Sequence, residues 1–106
     1  MYCDEIKCRV TVDLMSEDDL PEILAIEREC QPAPWTRAMF IDEMNAPRAH
    51  CLTVKAEAGE RAFLAAYIVF RFVADELHLH NLAVSKECRR QGLGRNLMNL
   101  MKDIGL

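Results

Sequence analysis

No apolar run in the sequence approaches the roughly 20 residues that a membrane-spanning helix needs. The first residues, Met1-Tyr2-Cys3-Asp4-Glu5, lack the basic and apolar regions of a secretory signal, so the expected compartment is the cytoplasm. Glycine and proline are scarce, four of each in 106 residues, and there is no linker, internal repeat or low-complexity tract. One domain, residues 1–106, is therefore expected. Cysteines number five (Cys3, Cys8, Cys30, Cys51, Cys88), an odd count whose spacing fits neither a zinc ribbon nor a Cys-x-x-Cys pair. Free thiols and no bound metal are expected in a reducing compartment. Cys88 stands apart because it lies in a basic loop, where a thiol is more easily ionised. Basic residues form no stripe, and the formal charge is −4, which argues against a nucleic-acid partner.

What is present is an ordinary globular composition, 51% hydrophobic and 28% charged, with readable periodicity. Residues 8–15, CRVTVDLM, alternate as an opening strand with Val10 and Val12 on one face. A helix follows on the apolar positions Leu20, Ile23, Ile26 and Cys30. Ser16 and Asp19 compete as its cap. Asp19 is preferred, because Pro21 then falls in the first turn and Glu22 completes an Asp-x-x-Glu capping box. Gln31-Pro32-Ala33-Pro34 ends that helix, and Thr36 caps a second one, with Trp35 and Phe40 spaced as a hydrophobic staple. The remainder reads as an antiparallel meander: His50–Ala56, a turn at Glu57–Glu60, Arg61–Val73, a turn at Ala74-Asp75, and a strand from Glu76 to Val84. The segment holding Phe63, Leu64, Tyr67, Ile68, Val69, Phe70 and Phe72 is the most β-prone and belongs inside the sheet.

The most informative stretch is ELHLHNLAVSKECRRQGLGRNLMNLMKDIGL, residues 76–106. In its strand, Leu77, Leu79 and Ala83 alternate with His78, His80, Leu82 and Val84, placing His80 on one face with Leu82 and Val84. Its helix carries Leu93, Leu97, Met101 and Ile104 on one side. Between them lies Arg89-Arg90-Gln91-Gly92-Leu93-Gly94. Glycines let backbone N–H groups approach a ligand closely, and a helix start favours an anion. Lys86 to Arg95 holds four basic residues and one acid, a local +3 against −7 for the rest of the chain. That cluster suits a phosphate or pyrophosphate; a solvated basic turn is the plainer reading. A Rossmann fingerprint is excluded because position 97 is Leu97, and a Walker loop because Gly-Lys-Ser/Thr is absent.

Arg89-x-x-Gly92-x-Gly94, with its strand and helix, resembles the acetyl-CoA motif of the GNAT superfamily of N-acetyltransferases. Asn81-Leu82-Ala83-Val84 before it, Arg95 after it and Pro34-Trp35-Thr36 upstream are similar to the ribosomal-protein-alanine branch. The resemblance implies an α+β fold: a mostly antiparallel sheet with flanking helices, in the order β-α-α-β-β-β-α, truncated before the family's fifth strand. It also implies acetyl-CoA as cosubstrate, and a protein N-terminus or other small primary amine as acceptor. The backbone of Leu82, Ala83 and Val84 would line pantetheine, and Arg89, Arg90, Gln91, Gly92, Leu93, Gly94 and Arg95 would surround the pyrophosphate. Cys88 and Lys86 depart from the family's usual aromatic and proline at their positions. In that branch the general base and acid lie in the part of the fold that follows these residues.

Amine attack on a thioester needs a proton acceptor. The local candidates are His80, His78 and Glu76, although a histidine on a half-buried strand is more often a packed or surface residue. Two functions stay open on sequence: an N-acetyltransferase, and a non-catalytic CoA-binding or structural remnant of one. Slow or undetectable transfer by these residues alone is expected, as is self-association through the 76–84 strand edge as a homodimer.

Overall fold

The computed structural model describes residues 2–3, 8–89 and 92–105. Its elements are β1 (Tyr2–Cys3), β2 (Cys8–Leu14), α1 (Leu20–Cys30), α2 (Arg37–Met44), β3 (Ala49–Ala58), β4 (Arg61–Val73), β5 (Glu76–Val84) and α3 (Leu93–Gly105). All strands pair antiparallel with their sequence neighbours, giving the sheet order β1-β2-β3-β4-β5. The four anticipated strands are β2 to β5. The two-residue β1, pairing Tyr2 with Arg9 and Cys3 with Cys8, is an addition. Interior β4 is buried without a break from Leu64 to Phe70, as its β-branched and aromatic content requires.

Each sheet face has its own core. On one, α3 packs Leu93, Leu97 and Met101 against Val10, Val54, Ile68 and Phe70. Burying each of those helix side chains stabilises the fold by roughly 1.5–3 kcal/mol. Ile104 shares their side of the helix but is 42% exposed, so the packed seam ends at Met101. On the other face, Leu20, Ile23 and Ile26 of α1 and Phe40 of α2 cover Tyr67, Val69 and Ala83. Cys88 is buried in the α3 core beside Leu93 and Leu97, so its thiol serves packing rather than the reactivity its basic neighbours suggested.

The start of α1 differs from the expected capping box. Asp19 has helical backbone angles (φ −80°, ψ −17°), whereas a capping side chain needs an extended residue. A 3₁₀ turn, Glu17–Asp19, precedes the helix. The Asp19 carboxylate turns back to accept the Ser16 N–H at 2.9 Å and pairs with Lys55 Nζ at 3.1 Å. Glu22 instead accepts the Leu64 N–H at 3.0 Å, tying α1 to β4. At α2 the expected cap is present: the Met39 N–H donates to Thr36 Oγ1 at 3.3 Å, and the Trp35 and Phe40 rings lie 5.1 Å apart.

Candidate functional site

β5 is not a regular strand. Val69 pairs with Asn81 but Phe70 pairs with Leu79, so His80 has no partner in β4. One extra residue reverses the phase of everything beyond it. Leu82 and Val84 therefore join Leu77 on the α3 face, while Asn81 and Ala83 point toward α1 and α2. The expected sharing of a face by His80, Leu82 and Val84 is thus corrected: His80 reaches toward α2, with Nδ1 3.5 Å from Glu43 Oε2.

Around this bulge a cavity of about 410 Å³ is lined by Glu27, Gln31, Ala33, Trp35 and residues 79–82. Its floor is a buried polar network. Glu27, 1% exposed, accepts from the Tyr67 hydroxyl, from the Trp35 N–H at 2.9 Å, and from Asn81 Nδ2 at 3.0 and 3.1 Å. Gln31 Nε2 donates to Asn81 Oδ1 at 3.1 Å. Burial, then the hydrogen bond to Glu27, holds the Tyr67 phenol far above its ordinary range, so it stays a neutral donor. Trp35 stands against Phe40, as the staple spacing anticipated, and also lines the cavity.

A second cavity, about 480 Å³, continues along the same strand edge between Glu29, Cys30 and Gln31 on one side and Leu82, Ala83, Val84 and Arg89 on the other. Gln31 and Leu82 border both cavities. Arg89 spans the second one: Nε donates to the Val84 carbonyl at 3.2 Å, and Nη2 lies 2.9 Å from Cys30 Sγ. Four of the expected cofactor residues, Leu82, Ala83, Val84 and Arg89, thus share one cleft. Gly92 has φ +77°, a conformation that favours glycine, and its carbonyl accepts the Asn96 N–H at 3.0 Å to start α3. A Cβ on Gly94 would meet only Val84 Cγ2, at 3.8 Å. Arg95 is exposed, and Leu93 is buried as a core side chain, so only its backbone is available to a ligand. Arg90 and Gln91 lie outside the described residues. The cleft follows an edge of β5 that has no strand partner among the described residues and reaches Arg89, ahead of the glycine-bearing start of α3.

Two of the proton-accepting candidates fall elsewhere. His78 pairs with Glu76 at 3.2 Å, both are exposed, and neither lines the cavities along β5. No cluster of metal-ligating side chains occurs among the described residues. Among those residues no helix is long and apolar enough to cross a membrane.

Residues 20–106 match the model of the acetyltransferase (GNAT) family. The chain belongs to that family. It is 32% identical, over 93 residues, to the [ribosomal protein bS18]-alanine N-acetyltransferase of Salmonella typhimurium, covering 88% of this chain and 60% of that one. It is 30% identical to a putative enzyme of the same name from Bacillus subtilis, over 87% and 59% of the two lengths. The crystal structure of the ribosomal-protein-S18-alanine N-acetyltransferase from Escherichia coli superposes with a TM-score of 0.74 at 28% identity, over 92% and 59%. The chain thus spans about three fifths of the length of these relatives.

Within this GNAT chain, Glu27, Gln31, Asn81, Glu43 and Arg71 escaped sequence reasoning as site residues. Asn81 was noticed only within Asn81-Leu82-Ala83-Val84, and for Glu27 and Glu43 the linear signal was polarity where the helix period calls for apolar side chains, as with Glu27 beside Ile26. The contacts that explain them span 28 to 54 residues.

Proposed function

We propose that the protein is an acetyl-CoA-dependent N-acetyltransferase acting on primary amines, in the manner of enzymes that acetylate the α-amine of a protein N-terminus. The observation that carries this reading is the junction of two cavities at Leu82 and Gln31. One runs along the β5 edge toward the glycine loop and suits a long cosubstrate. The other opens beside Trp35 and suits a short chain entering with its amine foremost. The name borne by the relatives supports a ribosomal protein N-terminus as acceptor, and a cytoplasmic location follows from that substrate.

Acetyl-CoA, when bound, would supply the activated thioester; the chain's residues bind and orient it. The β5 edge at Leu82, Ala83 and Val84, which has no strand partner among the described residues, offers backbone hydrogen bonds to an extended pantetheine arm, as an edge strand does for an added strand. Gly92 and Gly94 leave backbone N–H groups at the start of α3 accessible to the pyrophosphate, where the helix dipole favours negative charge. Arg89 closes the cleft by holding the Val84 carbonyl. The Glu27 network fixes the loop carrying Trp35 against Asn81, which keeps the amine pocket in register with the thioester end of the cleft. That order matters because a small misplacement of reacting groups costs much of the rate.

The test is release of free coenzyme A thiol when the chain is given acetyl-CoA and a peptide with a free N-terminal alanine. Mass addition at the α-amine, absent when that amine is blocked, is the result this reading predicts, against the slow or undetectable transfer expected from the sequence alone. Binding of acetyl-CoA without transfer to any amine would favour the non-catalytic alternative.

A further inference from the structure

We propose that His80 is the proton acceptor for the attacking amine and that Glu43 and Arg71 are its positioning residues, an inference that rests on the acetyltransferase reading above. His80 is the unpaired residue of the β5 bulge, and it borders the cavity assigned to the amine. Its side chain keeps 32% exposure, enough for contact with a ligand, while that of Glu43 keeps 9%. Glu43 is fixed in turn by a two-pronged contact: Arg71 Nε at 2.6 Å from Oε2 and Arg71 Nη2 at 2.8 Å from Oε1. A chain of three residues from β4, α2 and β5 therefore ends at the cavity.

The chemistry of that chain is directional. A carboxylate beside Nδ1 favours the tautomer with its proton on Nδ1, which presents the lone pair of Nε2. The hydrogen bonds from Arg71 hold the Glu43 carboxyl below the usual carboxylate range, against the effect of burial, so it remains an anion that stabilises an imidazolium. The other ionisable groups nearby are occupied. Cys51, beside the same pair, is pushed up to about 11 by burial and by Glu43, and stays a thiol. Glu27, across the cavity, is taken up by Tyr67, Trp35 and Asn81. Glu76 pairs with His78 and does not border the cavity.

The step balances within these groups. The acceptor nitrogen forms a bond to the acetyl carbonyl carbon while the carbon–sulfur bond breaks, and the electron pair leaves on sulfur. The proton released by nitrogen goes to His80 Nε2 and from there to the departing sulfur. This puts a proton acceptor inside the 106 residues, where the family pattern implied none.

The full chain, acetyl-CoA and a peptide with a free α-amine test the proposal. His80→Gln is expected to bind acetyl-CoA as the wild type does, by calorimetry, while kcat falls by on the order of 10²–10⁴. Its KM should change little, and its rate profile should lose one ionisation from the acid limb. Independently of turnover, long-range nitrogen–proton NMR is expected to find the His80 proton on Nδ1 in the wild type. That bias should be lost in Glu43→Gln and partly restored in Glu43→Asp. A His80→Gln variant that binds and turns over like the wild type overturns the proposal. So does a wild type that binds acetyl-CoA without transferring it, or a tautomer indifferent to Glu43. A wild type that fails to bind acetyl-CoA removes the acetyltransferase reading itself, and this inference with it.

Discussion

Asn81 donates to both carboxylate oxygens of Glu27, at 3.0 and 3.1 Å, although the two residues are 54 positions apart in the chain. The contact ties the middle of α1 to the bulged strand. With the Trp35 N–H and the Tyr67 hydroxyl on the same carboxylate, it fixes three walls of the cavity beside Trp35.

Glu27→Ala would leave those donors buried without an acceptor, each costing about 1–3 kcal/mol. The expected loss is on the order of 3–5 kcal/mol, a large part of the 5–15 kcal/mol that stabilises a typical domain. Glu27→Gln, which keeps one acceptor oxygen, should lose less. Urea unfolding followed by the fluorescence of Trp35, the single tryptophan, measures both. An unchanged midpoint in Glu27→Ala would contradict the network.

The two loop glycines should separate folding from binding. At φ +77°, Gly92→Val forces a side chain into a left-handed backbone and costs about 1–3 kcal/mol locally. Gly94→Ala meets an ordinary van der Waals contact at 3.8 Å, so thermal stability should not change. Coenzyme A affinity should nevertheless fall about tenfold or more in Gly94→Ala, a loss of roughly 1.4 kcal/mol, because the new methyl crowds the ligand. Arg89→Ala, which removes an exposed side chain, should weaken binding less than either. Calorimetry at fixed salt compares the three, and wild-type affinity in both glycine variants would remove the loop from the site.

Acid sensitivity has two identifiable sources. Burial raises the Asp19 carboxyl, but the Ser16 N–H and Lys55 outweigh it and leave the group below its ordinary 3.8. Arg71 lowers Glu43 below its ordinary 4.5. Both folded states hold protons less tightly than the unfolded chain. Their stabilisation is therefore complete above those ordinary values and is lost as pH falls through the lower folded ones. Asp19→Asn and Glu43→Gln should each melt lower than the wild type at neutral pH and show a flatter decline between roughly pH 5 and pH 2. Parallel wild-type and variant melting curves against pH would refute this.

Much of the fold was legible because its signals are local. Pro21 limited where α1 can begin, Thr36 with Trp35 and Phe40 marked α2, and Leu93, Leu97 and Met101 set the face of α3. The glycine loop was equally plain, since Gly92 and Gly94 need no distant partner to be noticed. The phase of β5 was misread as continuous alternation, although the consecutive polar pair His80-Asn81 moves the apolar positions from Leu77 and Leu79 to Leu82 and Val84; the pairing with Val69 and Phe70 shows that this shift is a bulge. Asp19 misled for a similar reason: its side chain answers to Ser16 and to Lys55, which lies on another strand, rather than to its own helix.

The edge of β5 has no strand partner among the described residues, and Leu79 there is 43% exposed. Unpaired backbone beside apolar side chains invites a second copy of the chain. Without coenzyme A, the 106-residue chain is therefore expected to dimerise through residues 76–84, in competition with the cosubstrate for the same edge, and Leu79→Lys should shift it toward monomer. Sedimentation at high micromolar concentration decides this, and a stable wild-type monomer would exclude the pairing.

The most direct test of the central claim is a titration of coenzyme A into nitrogen-labelled chain, followed residue by residue by NMR at low ionic strength. The amides of Leu82, Ala83, Val84, Gly94 and Arg95 are expected to move first, with Cys30 and Arg89 following. The response should weaken as salt screens the pyrophosphate contacts. Silence of those amides at millimolar coenzyme A, or shifts gathered instead around a separate cavity lined by Arg48, Phe72, Ala74 and Asp75 at the opposite end of β5, would contradict the assignment.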